Sequence, residues 1–314
     1  MTFDEIPQMA YQPKGEPDSP ELRERYWKTA IGLQEVDGLE VSSYLRDVAA
    51  AHVEGTYTLR ETRELLWNHY DVMQVDGSTS ASGLDRAKEA DLVSQRIVEV
   101  LSAGGFMLAP LMLSHIHATL FQDLDPAVYH PGEFKVEQVI KPEAVLNGDS
   151  VFYAPPTMYT GMLDALFARE ATHDYAFNLT DEDVANFTRF IARVWQVHPF
   201  YEGNTRTVAV FAVLYLRELG CVVGNDPFER HAAYFRDALV RANYRNRPVG
   251  VDYDFSYLER FMGHLALGSS ESPLFDRHEL ICQPMFDHPE ALKYATVQDA
   301  AEVRGYLARA GFGR

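Results

Sequence analysis

The amino-acid sequence predicts an all-α protein with one small β-hairpin inserted among its helices. Apolar residues recur at helical spacing through most of the chain, as along residues 187–195. β-branched residues cluster only between residues 132 and 153, where Asn147-Gly148 supplies a strong hairpin turn signal. Hydrophobic residues make up 46% of the 314, which is ample for a packed core and excludes global disorder.

Start and stop signals divide the periodic segments into successive helices. Thr58 precedes Glu61, and Thr180 precedes Asp183, by the three residues that separate the partners of a capping box. The polar stretch 76–83 predicts a turn between two helices. The predicted helices begin near Glu21 and then cover about 43–55, 58–73, 84–103, 109–124, 157–171, 180–198, 204–219, 227–244, 253–267 and 297–310.

Composition narrows the class of protein. The 46 acidic and 28 basic residues give a formal charge of -18, which repels a phosphate backbone and argues against general nucleic-acid binding. The two cysteines, Cys221 and Cys282, form neither a disulfide framework nor a CxxC metal pair. No stretch approaches the ~20 apolar residues that cross a bilayer, and the first residues lack a basic and apolar leader. We therefore expect a cytoplasmic protein without a membrane partner.

The segment from His198 to Arg206 combines groups that suit phosphate chemistry. A predicted helix ends at His198, and another begins after Asn204, so unpaired backbone N–H groups and a positive dipole end face the loop. Gly203 allows a ligand to approach the backbone closely, and Arg206 in the first turn can bind a phosphate oxygen. Glu202 is the carboxylate available to Mg²⁺, and a neutral His198 can accept a proton from a hydroxyl.

Each of these residues also has an ordinary structural interpretation. A histidine at a helix end is usually a cap, Gly-Asn is usually a turn, and a lone Glu or Arg is usually solvated. Their co-occurrence within nine residues favours a functional site. No P-loop, HExxH or GxSxG pattern offers a competing chemistry.

The run HPFYEGNTR at residues 198–206 resembles the motif of the Fic family, H-x-F-x-(D/E)-G-N-(G/K)-R, at every specified position except Thr205. Three further segments resemble flanking parts of Fic proteins in the right order: 113–123, 148–156 and 238–244. The resemblance implies a Fic-type helical bundle. It divides the chain into four regions. These are a flexible N-terminal arm (1–20), a helical region with an inhibitory-helix-like segment (21–104), a Fic core (105–268) and a C-terminal extension (269–314).

The resemblance also implies an activity. Fic proteins of this type are protein adenylyltransferases, which transfer AMP from ATP to a Ser, Thr or Tyr hydroxyl of a target protein or of themselves. A hairpin flap, here near residues 132–156, would bind the target by strand addition. By position in the motif, His198 would be the general base, Glu202 would bind Mg²⁺, Gly203, Asn204 and Thr205 would form the phosphate-binding anion hole, and Arg206 would hold the phosphate chain.

Two departures from the family motif leave alternatives open. Thr205 stands where Gly is usual, and Ala209 stands where an extended motif has a second Arg for the γ-phosphate. The chain is therefore also compatible with another donor, as in phosphocholine or UMP transferases and phosphotransferases, although Gly203 and Thr205 argue against the last. A non-catalytic nucleotide-binding or interaction module is the remaining alternative. The target, the donor and the oligomeric state, a homodimer included, stay open.

A regulatory element is suggested by residues 50–55. The run AAHVEG resembles the Fic inhibitory motif (S/T)-x-x-x-E-(G/N), with Glu54 as the inhibitory carboxylate, but Ala50 replaces its Ser/Thr. An ordinary helix end with Gly55 as its cap explains the same residues equally well.

Overall fold

The computed structural model describes residues 18–76, 81–176, 178–223, 226–267 and 275–309. Within these ranges the chain forms thirteen α-helices and no sheet, so the predicted helical class is confirmed. Residues 1–17 of the predicted arm and 77–80 of the predicted turn lie outside the described residues. The helices are α1 Pro20–Gly32, α2 Ser43–Val53, α3 Leu59–Asp76, α4 Ala81–Ala103, α5 Pro110–Phe121, α6 Pro126–Tyr129, α7 Tyr159–Glu170, α8 Asp181–Val197, α9 Asn204–Glu218, α10 Asp226–Asn243, α11 Ser256–Leu267, α12 Gln283–Asp287 and α13 Val297–Arg309.

Both predicted capping boxes are present. Thr58 and Glu61 bond reciprocally before α3, with Thr58 N–H donating to Glu61 Oε2 over 2.8 Å. Thr180 and Asp183 do the same before α8. A cap of this kind stabilises a helix start by about 1 kcal/mol, and here it fixes where α8 begins.

The predicted β-hairpin at 132–153 is not confirmed. Among the described residues this segment contains one isolated antiparallel bridge, between Pro142 and Ser150. Pro142 has no N–H to extend a ladder. The chain instead makes a 3-10 turn at Ala144–Leu146 before the left-handed Asn147 and Gly148, and residues 145–151 are buried. Asn147-Gly148 does form a turn, but the turn packs into the core and leaves no two-stranded ribbon.

Helix α9 lies at the centre of the fold. Its residues 204–216 are all buried, and it packs against α4, α5 and α8 and against the 3-10 segment Leu33–Asp37. A helix that is apolar on every side can be stable only inside such a ring of neighbours. Because the HPFYEGNTR loop ends at the start of α9, this burial fixes the loop as well.

The N-terminal helices pack directly on the core. Helix α1 lies against α4 and α10, and the 3-10 segment Leu33–Asp37 contacts α9 and α10. At the other end of the chain, the buried Asp149 carboxylate accepts the backbone N–H groups of residues 293–295 at 2.8–2.9 Å. These contacts join both ends of the described chain to the elements around the motif. No helix in the described ranges has the length and apolarity that crossing a membrane requires.

Candidate functional site

The loop between α8 and α9 is held by hydrogen bonds to its own backbone. His198 ends α8 in the left-handed conformation, at φ 52°. The Lys135 ammonium donates to the His198 carbonyl, and the Lys135 N–H donates to the Pro199 carbonyl over 2.8 Å. The Asn204 amide bonds to both the N–H and the carbonyl of Phe200, at 3.0 and 2.8 Å. The loop is therefore a preorganised turn.

His198 is buried beside two aromatic side chains. Its ring lies 4.1 Å from the Tyr153 ring and 5.6 Å from Trp195, and only 3% of the residue is exposed. Neither ring nitrogen makes a hydrogen bond of normal geometry with a described residue, and the Trp195 backbone favours the charged ring only slightly. Burial, together with the positive charges of Lys141, Lys135 and Arg236, holds the pKa of His198 well below its usual range. The ring is therefore neutral at pH 7, which is the form that accepts a proton.

A second histidine, His117, packs against the loop and bonds to its backbone. The His117 ring stacks on Phe200 at 3.9 Å. Its Nδ1 accepts the Gly132 N–H over 2.9 Å, so its Nε2 carries the proton and donates to the Glu202 carbonyl over 3.0 Å. Burial lowers the pKa of His117 to about 4, which keeps this neutral tautomer in place at pH 7.

Gly203 and Thr205 have distinct structural roles at the start of α9. Gly203 has φ 72°, and a Cβ at this position would lie 2.0 Å from the Phe121 ring. The Thr205 hydroxyl accepts the indole N–H of Trp195 over 3.0 Å. The threonine side chain therefore points into the core. The first hydrogen bond within the helix runs from the Thr207 N–H to the Gly203 carbonyl over 3.0 Å, so the Thr205 backbone N–H has no partner within the helix.

Glu202 already has a cationic partner. Both of its carboxylate oxygens lie 3.3 Å from the Lys141 ammonium, and the carboxylate side chain is 45% exposed. Among the described residues no cluster of three or more His, Cys, Asp or Glu side chains suits a metal ion. A single carboxylate still fits Mg²⁺ when phosphate oxygens and water complete its shell, so Glu202 is a suitable ligand once Lys141 gives way.

Arg206 is bound by the N-terminal region. Its Nη1 donates to Gln34 Oε1 over 3.1 Å and its Nη2 to Glu89 Oε1 over 2.7 Å, while Nε lies 2.8 Å from Asp37 Oδ2. The guanidinium also lies over the Phe121 ring at 4.9 Å, and only 1% of the residue is exposed. Burial opposes its charge, but the two carboxylates outweigh this and raise the pKa of Arg206. A phosphate chain would therefore compete with Asp37 and Glu89 for this side chain.

A cleft of about 400 Å³ adjoins the start of α9. This volume lies in the range of small-molecule sites. Residues of the N-terminal region form one wall, and Glu202, Arg206 and Arg236 belong to the core side. The lining residues are Val36, Asp37, Leu39, Arg86, Glu89, Tyr129, Glu202, Arg206 and Arg236.

The structure brings the predicted residues Glu202 and Arg206 to one cleft, with Gly203, Asn204 and Thr205 between them in the chain. His198 precedes this turn but does not line the cleft. Glu54 is exposed at the end of α2, and the carboxylates on Arg206 are Asp37 and Glu89 instead. Ala209 is fully buried and leaves the cleft without a second motif arginine.

Sequence reasoning missed five residues around this site: Gln34, Asp37, Glu89, Lys135 and Lys141. All five are distant from the motif in sequence, and their side chains are common on solvated helix faces and turns. Lys135 and Lys141 do lie in the segment that resembles the flap, which was the one available signal.

Comparison with known protein families gives a match over the centre of the chain. No curated protein and no solved structure is significantly similar to the chain. The family model described as the Fic/DOC family matches residues 108–216, about one third of the 314 residues. The match includes the whole loop from His198 to Arg206 and most of α9. Residues 108–216 of this chain are therefore a domain of the Fic/DOC family.

Proposed function

We propose that this chain is a protein adenylyltransferase that transfers AMP from ATP to a hydroxyl side chain of a protein. The observation that carries the proposal is that a neutral His198, Glu202 and Arg206 lie within one short segment of a Fic/DOC domain, from the end of α8 to the first turn of α9. This segment combines a proton acceptor, a cation ligand and a phosphate ligand at a helix N-terminus.

In the proposed reaction, His198 takes the proton of the target hydroxyl. The hydroxyl oxygen then attacks the α-phosphorus of ATP, the bond from that phosphorus to the bridging oxygen of the β-phosphate breaks, and pyrophosphate leaves. Backbone N–H groups of Asn204, Thr205 and Arg206 precede the first intrahelical bond and are available to phosphate oxygens. Such fixed donors stabilise developing negative charge without reorganising.

Glu202 would hold Mg²⁺ together with oxygens of the donor. The bound cation would neutralise charge on the phosphate chain. Arg206 would add positive charge only as the phosphate chain displaces Asp37 or Glu89 from it, and Ala209 has no charge to offer. Arg236 lines the same cleft, and its guanidinium is bonded to the buried Glu143 at 2.8 Å, so it contributes less net charge than an unpaired arginine would.

The target would bind along residues 136–140. This stretch bends at residues 136–137, continues without helix or turn over residues 138–140, and is mostly exposed, with Val136 and Ile140 exposed by 76% and 51%. An exposed extended segment can accept another strand by main-chain hydrogen bonds. Because Tyr153 covers His198, the hydroxyl would reach the imidazole only after this side chain moves aside.

A non-catalytic nucleotide-binding or interaction module is the second candidate. It is favoured by the buried bonding of Arg206 to Gln34, Asp37 and Glu89, which holds the predicted phosphate ligand in a structural network. The two candidates differ in their product. Incubation with ATP and Mg²⁺ should release pyrophosphate and add the mass of AMP to the chain itself or to proteins mixed with it, and the His198→Ala variant should do neither. Nucleotide binding without either product would favour the module.

A further inference from the structure

The Lys141–Glu202 pair sets a condition for cation binding at the proposed nucleotide site. We infer that the Lys141 ammonium occupies the place at Glu202 that a divalent cation needs, so that the cation binds only by displacing Lys141. This inference rests on the proposed function, because the cation would enter with the phosphates of the donor.

The first argument is geometric. The ammonium is equidistant from the two carboxylate oxygens, at 3.3 Å from each, which is the position of a cation shared by both oxygens. Mg²⁺ would need to lie about 2.0–2.1 Å from a carboxylate oxygen. An ion at that distance would lie within a few ångströms of the ammonium, where two positive charges repel strongly. Lys141 and the cation therefore compete for the face of the Glu202 carboxylate that both oxygens share.

The second argument is that Lys141 is presented from a fixed point. Its backbone N–H donates to Ser150 Oγ over 3.1 Å, and the antiparallel bridge Pro142–Ser150 follows directly. Glu143, two residues after Lys141, donates its N–H to the Asp149 carbonyl over 2.8 Å. The chain at Lys141 is thus anchored, and only its flexible side chain has to move when a cation enters.

The third argument concerns the cationic side chains that line the cleft beside Glu202. Arg206 is bonded to Asp37 and Glu89, and Arg236 to Glu143. Arg86 donates to the Gly38 carbonyl over 2.8 Å. The Lys135 ammonium, also near Glu202, donates to the His198 carbonyl instead. Among the described residues, Lys141 is therefore the cation in direct contact with the Glu202 carboxylate.

The test measures cation binding without catalysis. The probe is an ATP analogue with a methylene group between the α- and β-phosphorus, and its affinity is measured by calorimetry with and without Mn²⁺. The ratio of the two affinities is the gain due to the cation. We expect Lys141→Gln to increase this gain by up to about fivefold. This factor is the free energy of an exposed ion pair, ~1 kcal/mol, which the cation has to break in the wild type. Lys141→Arg keeps the competing charge and should leave the gain near that of the wild type.

Two further variants separate competition at Glu202 from a general change in charge. Lys28→Gln removes a lysine that lies 3.1 Å from Glu24 on α1, and it should leave the gain unchanged. In Glu202→Gln, Mn²⁺ should increase the affinity for the analogue only slightly. The double variant Glu202→Gln with Lys141→Gln should show the same small increase. An equal gain in Lys141→Gln and wild type would overturn the inference alone. Failure of the analogue to bind at any Mn²⁺ concentration would overturn the proposed nucleotide site and the inference with it.

Discussion

The indole N–H of Trp195 donates to the hydroxyl of Thr205 over 3.0 Å, inside the core. Trp195 is on the last turn of α8, and Thr205 is on the first turn of α9. The bond therefore closes the base of the loop that carries His198 and Glu202. It gives the departure from the usual Fic glycine a physical role, because a glycine would leave the buried indole N–H without this partner.

Replacing Thr205 by Val should destabilise the protein while Ser is tolerated. Valine keeps the volume but leaves the Trp195 N–H unsatisfied, at a cost of about 1–3 kcal/mol in the free energy of unfolding. Serine keeps the hydroxyl. Urea unfolding of both variants measures the difference. In a Trp195→Phe protein, which has no indole N–H to leave unsatisfied, Thr205→Val should lower the free energy of unfolding much less. A Val variant as stable as the Ser variant would show that the bond contributes nothing.

Gly203→Ala should destabilise the protein more than Gly220→Ala. Both glycines have positive φ, 72° and 90°, so alanine is strained at each by about 1–2 kcal/mol. Only at Gly203 does the added Cβ meet the Phe121 ring, at 2.0 Å, whereas nothing lies within 4 Å at Gly220. The extra loss, about 1–3 kcal/mol, is the cost of overpacking. Thermal unfolding of the two variants tests this, and equal losses would mean that the ring moves aside freely.

Much of this arrangement was accessible to sequence reasoning, because it is local. The caps at Thr58 and Thr180, the end of α8 at His198 and the start of α9 at Asn204 all follow from neighbouring residues. The predicted hairpin is not confirmed, because Pro142 cannot extend a ladder, and the burial of the turn is a tertiary property. The proposed roles of the motif residues remain predictions.

The partners of the motif residues depend on long-range packing. Asp37 and Glu89 are more than a hundred residues from Arg206, and no local pattern links them. The same holds for Lys141, which is 61 residues from Glu202. The resemblance to Fic proteins identified the loop, but it did not identify which side chains surround it here.

Glu89→Gln should lower stability and raise the affinity for ATP. Removing this carboxylate leaves the buried Arg206 guanidinium with less compensation, at a cost of about 1–3 kcal/mol, and removes a negative charge from the cleft. Glu99→Gln is the matched control, because Glu99 is also on α4 and pairs with Arg63 at 3.5 Å, away from the cleft. Melting curves with and without ATP measure both effects. An ATP-induced shift no larger in Glu89→Gln than in Glu99→Gln would contradict the competition for Arg206.

The stability of the protein should depend on His117 at acid pH. Its pKa is about 4 when folded and about 6.5 when unfolded, so the unfolded chain binds the proton first. The contribution of His117 is therefore complete above pH 6.5 and is lost as the pH falls to about 4, with a total on the order of 3 kcal/mol. His117→Gln should be less stable at pH 7 but should lose less stability between pH 6.5 and 4. His115→Gln, at an exposed position on the same helix, should follow the wild-type slope.

The position of the transferred label tests the central claim most directly. The protein is incubated with ATP labelled in the α-phosphate and, separately, in the γ-phosphate, alone and with candidate target proteins. We predict that protein retains label from the α-phosphate only, and that His198→Ala retains none, because the imidazole acts on the hydroxyl proton and its loss leaves no general base. Label from the γ-phosphate on protein, equal α-label in His198→Ala, or no label from either position would contradict adenylyl transfer by this loop.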